Sequence, residues 1–141
     1  MKKDIIECMD TVSKFCRLQT NIKRDLPIRA SEMGALIYVE KSEKPATPLM
    51  ISNFFGIAKP SVTDMVNSLV KKDYLIKIPS KDDRRSYILE VTQKGDELLD
   101  STYHEYFKSM EILEKNMGNE KFKLLIQLLK EANKLLKEER K

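Results

Sequence analysis

Four side chains in the middle of the chain, Lys59, Thr63, Asn67 and Lys71, recur every fourth residue. On a helix that spacing sets them in one row on one face. Lys can neutralise a phosphate, Thr can bond a base edge or touch a thymine methyl, and Asn can pair bidentately with adenine. Ser61, Asp64 and Ser68 flank the row. A merely solvated face would be richer in Glu and Lys, whereas short polar groups suit close approach to another surface. Further on, the run from Ser80 to Arg85 gathers Lys81, Arg84 and Arg85 beside Asp82 and Asp83. Arginine is favoured by the negative potential of a DNA minor groove, and Asp83 could orient Arg85 by a charge-assisted hydrogen bond. Taken alone, this run also reads as a solvated turn with local ion pairs, because its acids repel phosphate.

Catalytic chemistry has fewer candidates. His104 is the single histidine, so a zinc site with several His ligands is excluded, and any nucleophile–histidine mechanism would depend on that one residue. No phosphate-binding glycine loop, metal cluster or nucleophile–base pair is visible, so the chain reads as neither an enzyme nor a metal or cofactor protein. Cys8 and Cys16 are the two cysteines. Eight residues apart on a helix they stand about 12 Å apart and cannot pair with each other. Inert buried thiols are the expectation, with Cys8 the one to consider for redox chemistry. No apolar run approaches the roughly 20 residues that span a bilayer. Asp4 and Glu7 interrupt the start before a signal-peptide core forms. A cytoplasmic protein without a membrane partner is expected.

The elements that must hold these groups follow from the 141 residues, enough for one domain with a helical extension. The net charge is +4, and residues 45–94 carry eight bases against five acids, whereas residues 95–141 carry nine against ten. The basic excess therefore lies where the polar row and the arginines lie. Apolar residues at helical spacing predict a first helix over residues 4–26, closed by Leu26-Pro27. Ser31 is the expected cap of a second helix. Leu49 to Phe55 predicts a short helix that buries Ile51 and Phe55, with Ser52 small enough for close packing. Gly56 supplies a tight turn, and Pro60 opens another helix, which buries Ile57, Val62, Met65, Val66 and Leu69 and runs to about Asp73. That pair has the spacing of a helix-turn-helix. Residues 74–79 and 86–91 predict two strands around the charged tip.

Thr92 is an expected helix cap. Leu99, Tyr103, Tyr106, Met110, Leu113 and Met117 then form one heptad-like seam. Gly118 breaks it, and a last helix carries Phe122, Leu125, Ile126, Leu129, Ala132 and Leu136 on one face. Packing within the chain and packing against a second copy both satisfy this pattern.

The run from Asp83 to Gly95 resembles the wing of MarR-type transcriptional regulators, an Asp-x-Arg followed by a strand ending Leu-Thr-x-x-Gly, with Val91 in place of the usual Leu. Ser61-Val62-Thr63, Leu69 and Tyr74-Leu75-Ile76 are similar to that family's recognition helix leading into its wing. The resemblance covers essentially the whole chain by helix order and length. It implies a mostly α fold with a β-hairpin wing, an α+β winged helix-turn-helix over residues 31–95. Residues 1–30 and 96–141 would form a helical dimerisation domain. It further implies a homodimeric regulator, a repressor, that binds pseudo-palindromic double-stranded DNA. The contacts would be Lys59, Ser61, Thr63, Asn67, Ser68, Lys71 and Lys81, with Arg84 at phosphate, Arg85 in the minor groove and Asp83 orienting it. A small aromatic or lipophilic effector would sit among Phe15, Ile22, Met33 and Ile37, with Arg17 or Arg24 for an anion. Two other readings stay open: a winged helix that binds protein, and a redox sensor acting through Cys8, although no tyrosine precedes Tyr38 to activate it.

Overall fold

The computed structural model describes residues 1–83 and 85–139. Its elements run α1 Lys3–Asn21, α2 Ala30–Lys41, α3 Pro48–Phe55, α4 Lys59–Lys71, β1 Leu75–Pro79, β2 Tyr87–Val91, α5 Gln93–Tyr106, α6 Lys108–Met117 and α7 Asn119–Glu139. They divide into two compact units. One holds residues 1–24 and 107–141, the other residues 25–106. Residues 25–30 and 96–106, expected with the terminal helices, thus cluster with the winged helix. Leu98 and Thr102 of α5 are buried, and the Thr102 hydroxyl lies 3.7 Å from the Met33 sulfur on α2. No helix among the described residues is long and apolar enough to cross a membrane.

The winged helix is built from clear local signals. Thr47 caps α3 by accepting from the Met50 N–H at 3.2 Å, and Pro48 fills the first turn where no N–H is required. Gly56 ends α3 in the left-handed region at φ 65°, which carries no Cβ penalty for glycine. Ser52 then staples the turn: its carbonyl accepts from the N–H groups of Gly56 and Ile57, and its hydroxyl donates to the Ile57 carbonyl at 2.7 Å. α4 buries Val62, Met65, Val66 and Leu69 against Leu36, Ile51 and Leu75 in one core. Ile57 is partly buried beside it. Phe55 departs from expectation. It is 39% exposed and joins Tyr38 and Phe54 in a surface ring cluster, while Ile51 alone fills the core from α3.

The hairpin is antiparallel, with Leu75 opposite Val91, Lys77 opposite Leu89 and Pro79 opposite Tyr87. The α2–α3 connector adds one bridge, the Leu89 N–H donating to the Ala46 carbonyl at 2.8 Å. Thr92 caps α5 through the Gly95 N–H at 3.0 Å and also donates to the Asp73 carbonyl at 2.6 Å. Gly95 is required for close approach. A Cβ there would lie 2.5 Å from the Tyr74 carbonyl oxygen and 2.7 Å from Val91 Cγ1.

Three further sequence expectations, on element bounds and caps, are corrected. α1 ends at Asn21 because Ile22 turns extended, well before Leu26. Arg29, not Ser31, stands at the start of α2, where the Glu32 carboxylate reaches back to the Arg29 N–H at 3.2 Å and takes the role a serine cap would have had. The seam from Leu99 to Met117 is two helices, interrupted at Phe107.

In the other unit Arg24 joins the end of α1 to α6. Its guanidinium donates to Ser109 Oγ at 2.9 Å and to the carbonyls of Gln19 and Ile22. The anion-binding role considered for Arg24 therefore competes with a structural one. Neither α1 nor α7 contains a buried residue. Cys8 and Cys16 are accordingly free and exposed, against the expectation of burial.

Candidate nucleic-acid interface

The row on α4 faces outward as its spacing requires. Lys59, Ser61, Thr63, Asn67 and Lys71 are all exposed, and the residues between them supply the buried face. Pro60 in the first turn sets the helix start, and Lys72 closes it with an N–H bond to the Ser68 carbonyl. Thr63 Oγ1 donates to the Lys59 carbonyl at 3.1 Å, so its hydroxyl proton is committed to the helix and its oxygen and methyl are what a partner meets. Asp64 stands 3.9 Å from the Arg29 guanidinium on α2.

Ser68 is different. It is half-buried, and its hydroxyl donates to the Glu32 carboxylate. Ser68, which flanks the row, therefore also anchors α4. Glu32 is fully enclosed, with Arg29 Nε at 3.0 Å and Lys72 Nζ at 3.4 Å. Burial alone would raise its pKa, but hydrogen bonds from Ser68 and Arg29, with the Lys72 charge, together hold it at about 2. An ionised Glu32 thus ties the start of α2 to the far end of α4, which fixes the orientation of the polar row.

The wing tip is organised by Asp83. Its carboxylate accepts from the Arg85 backbone N–H at 2.9 Å and from the Ser86 hydroxyl at 3.3 Å, and Ser80 N–H closes the turn on the Ser86 carbonyl at 2.9 Å. Asp83 shapes the loop that presents Arg85 rather than gripping its guanidinium. Among the described residues the Arg85 side chain forms no ion pair. Lys81 and Arg85 are exposed, and Arg84 lies outside the described residues.

One residue that sequence reading missed connects the two parts. Lys77 on β1 donates to Asn67 Oδ1 at 2.8 Å, and its ammonium lies 4.8 Å from the centre of the Tyr87 ring. Burial pushes the Tyr87 phenol up, so the ring stays neutral beneath the cation. Lys77 shares the strand face of buried Leu75 and sits opposite buried Leu89, and its exposed ammonium reaches from that face to α4.

The residues considered for an effector fall in both units. Phe15 and Arg17 are exposed on α1 and Ile22 is half-buried at its end. Met33 is fully enclosed in the core of the other unit, and Ile37 is half-buried there.

This geometry can be set beside known proteins. The MarR family model matches residues 25–86, from before α2 to the wing. The HTH-type transcriptional regulator FarR of Neisseria gonorrhoeae is 33% identical over 86 residues, 60% of this chain and 58% of that protein. The match therefore spans less than two thirds of FarR. A MarR/EmrR family transcriptional regulator from Acinetobacter sp. ADP1 has the same fold with a TM-score of 0.78 at 18% identity, covering 98% of this chain and 99% of that one. A mutant MarR from E. coli complexed with operator DNA superposes with a TM-score of 0.77 at 18% identity, over 92% of this chain and 95% of that one. Residues 25–86 thus match the MarR family model in sequence, and the architecture along nearly the whole chain is the fold of solved MarR-family proteins.

Proposed function

We propose that the chain is a sequence-specific, homodimeric DNA-binding regulator acting as a repressor in the cytoplasm. The observation that carries this reading is the exposed row Lys59, Thr63, Asn67 and Lys71, standing beside a wing whose exposed tip holds Lys81 and Arg85 and bonded to that wing through Lys77. α4 would enter the major groove and Arg85 the adjacent minor groove, with Lys59 and Lys71 on phosphates. Asn67 and Thr63 would meet base edges. Arg84 would add a further phosphate contact.

The second copy is proposed from the terminal helices. Ile5, Met9 and Val12 on α1 and Leu124, Leu128 and Leu135 on α7 are each at least half exposed, an apolar surface that a dimer would cover. Two α4 helices would then occupy successive major grooves roughly 34 Å apart on a pseudo-palindromic site. A small aromatic or lipophilic effector modulating the dimer belongs to the same reading as its regulatory input; redox sensing through exposed Cys8 is the alternative input.

Selection of bound duplexes from a random pool tests it. Enrichment of a pseudo-palindrome with half-sites one helical turn apart is expected. Recovery of no duplex at low salt, with salt-insensitive capture of a protein instead, would favour the protein-binding winged helix.

A further inference from the structure

Lysine has three donors and no acceptor, so the atom of Asn67 that meets Lys77 Nζ at 2.8 Å must be the amide oxygen. That fixes the orientation of the Asn67 amide by chemistry. The Lys77 ammonium is held in turn over the Tyr87 ring, 4.8 Å from its centre. The amide NH2 of Asn67 has no partner among the described residues, and two of the Lys77 ammonium protons are not used by Asn67.

Resting on the DNA-binding reading, we propose that Lys77 is a specificity-determining residue that converts Asn67 from an adenine reader into a guanine reader. Adenine offers one acceptor, N7, beside one donor, the N6 amino group, and a bidentate asparagine must present both an N–H and a free oxygen to match them. Here the oxygen is occupied, and the adjacent ammonium repels an amino donor. Asn67 and Lys77 together present donors only. Guanine is the base whose major-groove edge carries two adjacent acceptors, O6 and N7, so the pair complements guanine and opposes adenine. This residue acts through Asn67 as well as by its own charge, so a uniform loss of affinity would not be its signature.

The test compares duplexes selected from one random pool by the wild-type chain and by its Asn67→Ala and Lys77→Met variants. Met keeps an unbranched side chain and removes the charge and the donors. The base position that Asn67→Ala relaxes identifies where Asn67 reads. At that position the wild type is expected to favour guanine over adenine by about tenfold. Lys77→Met is expected to shift the preference toward adenine there, leaving the other positions as they were. Adenine in the wild-type site at that position overturns the proposal. So does a Lys77→Met variant that weakens all sequences alike with its base preferences unchanged. If the wild type retains no duplex even at low salt, the DNA-binding reading falls and this inference with it. Duplex retention with the wrong base removes this inference alone.

Discussion

The Lys77 ammonium of the wing and the Asn67 amide of α4 are hydrogen-bonded at 2.8 Å, which makes the hairpin and the helix one polar surface rather than two adjacent ones. The link matters because two-stranded hairpins are weakly stable on their own. Here the hairpin is also held by Leu75 and Leu89 in the core and by the bridge to Ala46. Among the described residues of the tip, Asp83 shapes the turn by accepting from the Arg85 N–H and the Ser86 hydroxyl.

Asp83→Ala should disorder the tip turn while leaving the fold intact. Loss of two side-chain acceptances at an exposed site should cost no more than about 1 kcal/mol of stability, yet duplex affinity should fall by a large part of the Arg85→Ala effect. Asp83→Asn, which keeps one acceptor, should lie between. Thermal melting with fluorescence anisotropy on one duplex reads both quantities. Equal loss of stability and affinity in both variants would contradict the assignment.

Glu32→Gln should destabilise the winged helix by about 2 kcal/mol at pH 7, because a buried carboxylate loses charge-assisted bonds from Arg29 and Lys72. The pH dependence follows from the folded pKa of about 2. The unfolded carboxylate titrates near roughly 4.3, so the stabilising contribution is complete above about pH 5 and is lost as pH falls toward 2. Denaturant titrations at pH 7 and pH 3 should bring wild type and variant closer together at the lower value. A gap that stays constant would show that Glu32 is not held ionised.

Gly95→Ala should be worse than Gly56→Ala. At Gly56 the new side chain meets the left-handed backbone penalty of about 1–2 kcal/mol. At Gly95 the added methyl would overlap a backbone carbonyl that cannot swing away, and overpacking of this kind costs about 1–3 kcal/mol and displaces α5 as well. Melting temperatures of the two variants rank them directly.

Much of this was legible in the sequence because it depends on short-range rules. Gly56, Pro60 and Thr92 mark turns and caps through their own chemistry, and each occupies the expected role. The outward row on α4 followed from period alone. The misreadings share another cause. Ser31 is a residue type that serves equally as cap, contact or anchor, and only the folded position of Glu32 selects among these. Phe55 has core spacing, but α3 buries Ile51 while the Phe55 ring packs with Tyr38 and Phe54 at the surface. Lys77 was passed over because pairing between a strand and a helix ten residues earlier is a tertiary fact.

The exposed apolar face of α7 gives a prediction about assembly. Leu124, Leu128 and Leu135 are all more than half exposed in the single chain, so Leu128→Glu should leave helix content unchanged. It should nonetheless shift the sedimenting species from dimer to monomer. An unaltered sedimentation profile would remove this face from the proposed interface.

The central claim, that α4 and the wing grip duplex DNA through the residues named here, is tested most directly by the salt dependence of binding. Anisotropy titrations of the wild type and Arg85→Ala on one selected duplex should give steep linear log–log plots. Arg85→Ala should bind at least about tenfold more weakly, with a salt slope smaller by roughly one. Identical affinity and slope for the two proteins, or binding indifferent to salt, would contradict the account.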